Sequence, residues 1–245
     1  MDQTMLLVGL TAMGAAFVKG VTGMAFPVFA TPLVALLTDI RTAIVVLLAP
    51  NILMDTVLIL RRRFPLDHLR RLWTLLAAGM VGVFVGTYQL VSVPVRLVNL
   101  VVGGLVLVFV AQSLWAKAVA LPARWEPVAS PAVGFLAGLL NGVSNMLSPI
   151  MAIYLVSLQL AKFDFVKSIA LAFFAFKLTQ VAAVWSWHLF TPGRLWLSAA
   201  ATAFAFAGFG VGLRLQDRIN QRTFHRVILA LLTLFGIMLL AKTLL

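Results

Sequence analysis

The stretch GVTGMAFP, residues 20–27, returns as GVSNMLSP at residues 142–149. Each copy sets glycine, a small hydroxyl residue (Thr22, Ser144) and proline inside a long apolar run. Gly20 and Gly142 stand 122 residues apart, as do Pro27 and Pro149, with Val21/Val143, Thr22/Ser144 and Met24/Met146 matching inside the frame. Further along, Gly82/Gly208, Gly86/Gly212 and Arg96/Arg222 are each separated by 126. A four-residue insertion, in the loop around Asp39 or its counterpart near Lys162, reconciles the two offsets. The chain therefore reads as a duplication, repeat 1 at 1–122 and repeat 2 at 123–245, and internal similarity of this kind marks many transporter folds. Glycine spacing alone indicates only close helix packing; the shared offsets carry the argument.

Composition names the solvent. With 62% hydrophobic and 11% charged residues among 245, the chain cannot coat a soluble globule with polar surface, and most of its exterior must face lipid. Cysteine is absent, which excludes disulfides and thiolate chemistry. The opening MDQTMLLVGL has no basic region ahead of its apolar run, so it reads as a first membrane segment and not a removable signal.

A membrane-spanning helix needs about 20 apolar residues. Stretches of that kind fall at 43–60, 72–91 and 97–116, and again at 168–189, 195–213 and 227–245. Residues 5–38 and 131–160 are longer, and the quoted octapeptides interrupt them, so each is expected to be a hairpin of two short helices joined inside the membrane. The expected fold is an all-α polytopic membrane protein with about ten helical segments, a broken-helix hairpin plus three transmembrane helices in each repeat.

Charge settles whether the repeats are parallel or inverted. Arg61, Arg62, Arg63, Arg70 and Arg71 crowd one loop, which the positive-inside rule makes cytoplasmic. Counting spans from it places thirteen basic loop residues inside and four (Arg41, Arg96, Arg194, Lys242) outside. The basic loop of one repeat corresponds to a sparse outer loop of the other, as an inverted repeat demands. Both termini then fall outside a bacterial-type inner membrane. Trp185, Trp187 and Trp196 flank an outer turn as interfacial anchors. The net charge of +12 reports orientation and contact with anionic lipid, not nucleic acid.

A backbone break at mid-membrane is tolerated only where it is buried in protein or lines a wet cavity. Ser148 and Pro149 suit a helix start, cap then first residue; Phe26 gives Pro27 no such cap, so that helix is expected to begin nearer Thr22 or Gly23. Such starts aim free N–H groups and positive dipole ends at the centre, where an anion fits. The polar residues obey the same offsets: Lys19 corresponds to Asn141, and Asn51 to Lys177. A lysine at a helix centre costs about 2.5 to 3.5 kcal/mol on insertion scales, and such residues usually face a pathway. Lys177 shares a helix face with Gln180, and Asn51 with Asp55. The candidate anion site is Lys19 and Lys177 for charge, with Thr22, Gly23, Asn51, Asn141, Ser144, Asn145 and Gln180 around them; Asp55 is the candidate for a coupling proton. Simpler duties stand beside these: Lys19 reaching an interface, Asn51 and Asn141 joining helices, Ser144 and Ser148 capping backbone.

The paired openings FVKGVTGMAFPVFATPLVALL and FLAGLLNGVSNMLSPIMAIYL, each followed by three spans, make the chain resemble the TauE/SafE family of sulfite and organosulfonate exporters over essentially its whole length. The resemblance implies a transporter of small sulfur-containing anions with its site between the two halves; the repeats lead us to expect alternating access, their rocking exposing a central anion site to each side in turn. An anion channel, or a carrier of another small carboxylate or oxyanion, shares the polar centre. A membrane enzyme would need a nucleophile with its base or a metal cluster, yet His68, His188 and His225 all fall in or beside loops. No cofactor or metal is expected; the implied partners are the anion and lipid.

Overall fold

Glycine, asparagine and proline decide where the helices stop. A computed structural model describes residues 3–61, 66–92, 121–145, 148–158 and 162–215, with isolated positions within 94–111 and at 237. The expected helix 227–245, most of 97–116 and the loop residues Arg62 and Arg63 lie outside the described residues. Among the described residues every regular element is helical. The helices are α1 Gln3–Thr22, α2 Phe26–Leu37, α3 Ile40–Val46, α4 Leu48–Leu60, α5 Leu66–Ser92, α6 Glu126–Ser144, α7 Ser148–Ser157, α8 Lys162–Ser186 and α9 Pro192–Leu215. A 3₁₀ turn, Ala123–Trp125, leads into α6. Among the described residues six stretches are long and apolar enough to cross a membrane, α3 and α4 together forming one of them.

Both hairpins break where the octapeptides stand, but their arms are unequal. The first arms α1 and α6 have 20 and 19 residues, about 30 Å each, whereas α2 and α7 have 12 and 10. The expectation of two short arms is corrected: only the second arm is short. Helix α6 reaches back to Glu126 because a polar first turn with Pro127 near its start is a sound helix beginning, although its hydropathy hides it.

The breaks share one device. Gly23 (φ 78°) and Asn145 (φ 64°) both adopt the left-handed conformation and donate their N–H to the carbonyl four residues back, Lys19 O at 2.7 Å and Asn141 O at 2.9 Å. Glycine and asparagine are the residues that visit this region most readily. The start of α2 differs from expectation. It lies at Phe26, not near Thr22 or Gly23, because Ala25 is also left-handed (φ 84°) and separates the helices; Pro27 stands in the first turn and no side chain caps it.

The stretch 43–60 is two helices, not one. Asp39 starts α3 by accepting from Arg41 N at 2.9 Å and Thr42 N at 3.0 Å. Pro50 then lacks the N–H that would bond Val46 O, and its ring crowds that carbonyl. Ser198 Oγ supplies the missing donor to Val46 O at 2.8 Å.

The chain forms two compact units, Met1–Pro50 with Val93–Ala116 and Phe190–Leu245, and Asn51–Ser92 with Lys117–Leu189. In unit 1, α1 packs along α9, and α2 and α3 join them. Glycine permits that approach: a Cβ at Gly208 would lie 2.0 Å from Met13 O, and one at Gly212 2.3 Å from Phe17 O. In unit 2, α5 packs along α6, with Gly82 and Gly86 set against Phe135 O (2.2 Å) and Leu139 O (2.1 Å) in the same way. Without a hydrophobic force between helices in lipid, such small-residue seams provide the packing contact. Helix α8 adds to this pair by placing the Phe176 ring over Gly79. Trp185 and Trp196 are exposed as anchors would be, and the half-buried Trp187 sets its ring at a tilt against Phe84 (5.2 Å) and Tyr88 (5.7 Å) on α5.

Candidate functional site

The break after α6 brings four of the candidate residues together in unit 2. Lys177, in the middle of α8, is fully buried (0% exposed). Its ammonium donates to Asn141 Oδ1 at 2.6 Å, to Gln180 Oε1 at 3.0 Å and, by a very short contact, to Asn145 Oδ1. A lysine ammonium has donors and no acceptor, so each amide facing it turns its oxygen inward. Those three oxygens replace hydration that the buried charge has lost, which is what makes its burial tolerable.

Each partner is held by backbone chemistry. Asn141 stands in the last turn of α6, where the terminal carbonyls lack helical partners. Gln180 Nε2 donates to two carbonyls of this turn, Gly142 O at 3.1 Å and Asn141 O at 3.0 Å, the latter shared with the Asn145 N–H, and Asn141 Nδ2 approaches Gln180 Oε1 at 3.4 Å. Gln180 thus ties the end of α6 to α8 and fixes the lysine beside the break. Asn145 is both the left-handed residue that ends the helix and a ligand of the ammonium. Carbonyl ends carry partial negative charge, so this side of the break suits the cation, while the start of α7 presents the opposite polarity.

The other candidates are placed as follows. Ser144 Oγ donates to Leu140 O at 2.7 Å, the backbone bond open to it from the sequence. Gly23 forms the equivalent break in unit 1, and the Thr22 side chain lies outside what is described. Lys19 is fully buried at the end of α1 in unit 1, and Asn51 and Asp55 are buried on α4 in unit 2. The candidacy of Lys19 and Asn51 as anion ligands rests on the sequence offsets, and that of Asp55 as a proton carrier on its position in the chain. Ser198 was not singled out in the sequence, although Pro50 signals it: a proline inside a helix leaves one carbonyl in need of a donor, directly before Asn51.

Two polar contacts close the ends of the units. In unit 2, Arg71 on α5 grips Glu126 at the start of α6 through two bonds, of 2.5 and 2.7 Å. In unit 1, Arg194 Nε donates to Thr42 Oγ1 at 3.1 Å, one turn from Asp39. Burial pushes the Asp39 carboxyl up, but the Thr42 and Arg41 hydrogen bonds and the Arg194 guanidinium outweigh it and hold the carboxyl below its ordinary value.

Comparison with the curated proteins and with solved structures finds no match. A family model does match: the one described as sulfite exporter TauE/SafE covers residues 8–239, nearly the whole chain. Six membrane-length apolar stretches among the described residues, and that match, make the chain a multi-pass membrane protein belonging to the TauE/SafE sulfite exporter family.

Proposed function

We propose that the protein carries sulfite or a small organosulfonate across the bacterial inner membrane by alternating access, with Lys177 as the charge that receives the anion. The observation that carries this reading is the fully buried Lys177 ammonium, held among Asn141, Asn145 and Gln180 at a helix break. An arriving oxyanion exchanges with an amide oxygen, keeps the ammonium bonded, and meets the N-terminal end of α7. Asn51 and Ser144 are proposed to serve the same anion, and Lys19, Thr22 and Gly23 are the unit 1 residues that the offset of 122 pairs with Asn141, Ser144 and Asn145.

The reading of two inverted repeats, 1–122 and 123–245, gains support from contacts that recur at those offsets. Gly208 against Met13 O matches Gly82 against Phe135 O, and Gly212 against Phe17 O matches Gly86 against Leu139 O. The grouping of loops by side is supported by the end contacts: Arg71 joins Glu126, both from the side read as cytoplasmic, and Arg194 joins Thr42, both from the side read as outer; which side is outside rests on the positive-inside count.

Uptake of radiolabelled sulfite, taurine and sulfoacetate into proteoliposomes tests this reading. Lys177→Gln is expected to lower sulfite uptake at least about a hundredfold, the scale of losing a charged hydrogen-bond donor from a buried site. Equal uptake by parent and variant defeats the assignment. Asp55 as carrier of a coupling proton predicts that Asp55→Asn flattens the pH dependence of uptake; an unchanged profile removes that role.

A further inference from the structure

We infer that Thr87 on α5 is a further ligand of the anion, its hydroxyl donating to an oxygen that Lys177 leaves free. The inference rests on the reading of the Lys177 cluster as the anion site and adds a residue that sets specificity there. Thr87 is fully buried, and its Oγ1 has no hydrogen-bond partner among the described residues. Other threonines on the long apolar helices spend the hydroxyl on the carbonyl four residues back: Thr56 on Ile52 O, Thr179 on Ala175 O and Thr202 on Ser198 O. An unspent buried donor is a net cost to the fold, recovered when an acceptor arrives.

Position on α5 directs that hydroxyl. A Cβ at Gly142 would lie 2.5 Å from Thr87 N and 2.6 Å from Val83 O, so Thr87 stands level with the last turn of α6, and backbone covers the carbonyl its hydroxyl would ordinarily bond. Successive residues of a helix are turned by about 100°. Gly82 and Gly86 face α6, while Phe84 and Tyr88 touch Trp187 on α8. Thr87 falls between those two directions, on the flank opposite the exposed Val81 and Val85. Its side chain therefore enters the angle between α6 and α8, which Lys177 and Gln180 cross to reach Asn141, Gly142 and Asn145.

Packing does not account for the hydroxyl. In unit 1 the offsets of 122 and 126 reproduce the contact: a Cβ at Gly20 would lie 2.6 Å from Phe209 O and 2.9 Å from Leu213 N, with leucine where unit 2 has threonine. The same seam is thus built with an apolar residue. Chemistry supplies the need instead. The amide oxygens of Asn141, Asn145 and Gln180 serve the ammonium and repel an anion, so an anion beside Lys177 calls for a donor from another side chain. A hydroxyl suits sulfite or a sulfonate, which carries further acceptor oxygens on the same sulfur as the one held by the ammonium.

Equilibrium binding of radiolabelled sulfite to the full-length protein in nanodiscs, with thermal melting of the ligand-free protein alongside, tests it. Thr87→Val keeps the shape and removes the donor. It is expected to weaken sulfite binding about tenfold and to raise the ligand-free melting temperature by about 2 °C, because the unspent hydroxyl is gone. Thr87→Ser, which keeps the hydroxyl, is expected to bind within about threefold of the parent. A hydroxyl that serves only the fold would lower the melting temperature of Thr87→Val, and that result overturns the inference. Unchanged affinity in Thr87→Val, with binding lost in Lys177→Gln, removes Thr87 and leaves the export reading intact. Weakened binding in Thr87→Val, with Lys177→Gln unaffected, keeps Thr87 as an anion ligand and defeats the Lys177 assignment. Absence of saturable sulfite binding in the parent overturns both.

Discussion

Two helix pairs, α1 with α9 in unit 1 and α5 with α6 in unit 2, make the same glycine contacts and yet are not equally tight. Gly20, Gly208 and Gly212 in one match Gly142, Gly82 and Gly86 in the other, each facing a backbone carbonyl at 2.0 to 2.6 Å from an added Cβ. Beyond these, unit 2 has Gly134, Gly138 and Gly79 where the offsets put Ala12, Ala16 and Ala205 in unit 1, all three buried. A Cβ at Gly138 would lie 2.0 Å from Gly79 O, and one at Gly134 2.2 Å from Leu75 O. Glycine thus stands nearest the break in both pairs, and farther along alanine replaces it in unit 1 alone. The pair richer in glycine also contributes Asn141 to the Lys177 cluster, whose contacts depend on where α6 ends.

Gly138→Ala should have the largest effect, because backbone and not a mobile side chain stands in the way. Overpacking costs about 1 to 3 kcal/mol and can exceed this when neither helix can shift. We expect about 3 kcal/mol lost in reversible unfolding from mixed micelles, with Gly210→Ala, which meets nothing within 4 Å, as the neutral control. Equal stability of the two variants would mean the pairs do not differ as described.

Positions 50 and 176 correspond by the same offset and show what tightness permits. Pro50 splits α3 from α4, whereas Phe176 sits in an unbroken α8 and fills the space above Gly79, with an added Cβ only 1.9 Å from its Cζ. Gly79→Ala is expected to cost about 2 kcal/mol, and Phe176→Leu in the same chain to recover most of it, since contacting residues couple by about 0.5 to 3 kcal/mol. Additive losses would show that the ring is free to move aside. In unit 1 the corresponding trio is Pro50, Ala205 and Ser198, and Leu72 stands where Ser198 would have its counterpart. Ser198→Ala should cost about 0.6 to 1.7 kcal/mol, the span measured for hydrogen bonds between membrane helices. In a Pro50→Ala background the backbone N–H returns and that cost should vanish; persistence would separate Ser198 from the proline.

How much of this was legible in the chain follows from which interactions are local. Both breaks could be located from Gly23 and Asn145 because left-handed backbone favours those residues, and Lys177 with Gln180 could be put on one face from helical spacing. That Asn141 and Asn145 would be the ones to meet the Lys177 ammonium could not be read, because spacing orders residues within a helix and does not say which helices touch. The arms were misjudged for a different reason: residues 126–130 are polar and helical, and hydropathy sees only the first property. That Trp187 would meet Phe84 and Tyr88 could not be read either, because composition cannot tell lipid from the side of another helix.

The smallest expected effect concerns the opposite end of unit 1. Asp39 begins α3 with a carboxylate cap, whereas the offsets of 122 and 126 lead to Ala161 and Phe165, neither of which has an acceptor. The Asp39 carboxyl titrates below its ordinary value in the folded chain, so the ionised form stabilises the fold. That contribution is complete at pH above the unfolded value and disappears as pH falls through the lower folded value. Much of the group remains in solvent, which screens Arg194, so the charge is worth only a few tenths of a kcal/mol. Asparagine caps a helix about as well as aspartate. Asp39→Asn should therefore leave the melting temperature near pH 7 within about a degree and flatten its decline between pH 5 and 3. A decline as steep as the parent's would assign the acid sensitivity to other carboxylates and leave Asp39 with capping alone.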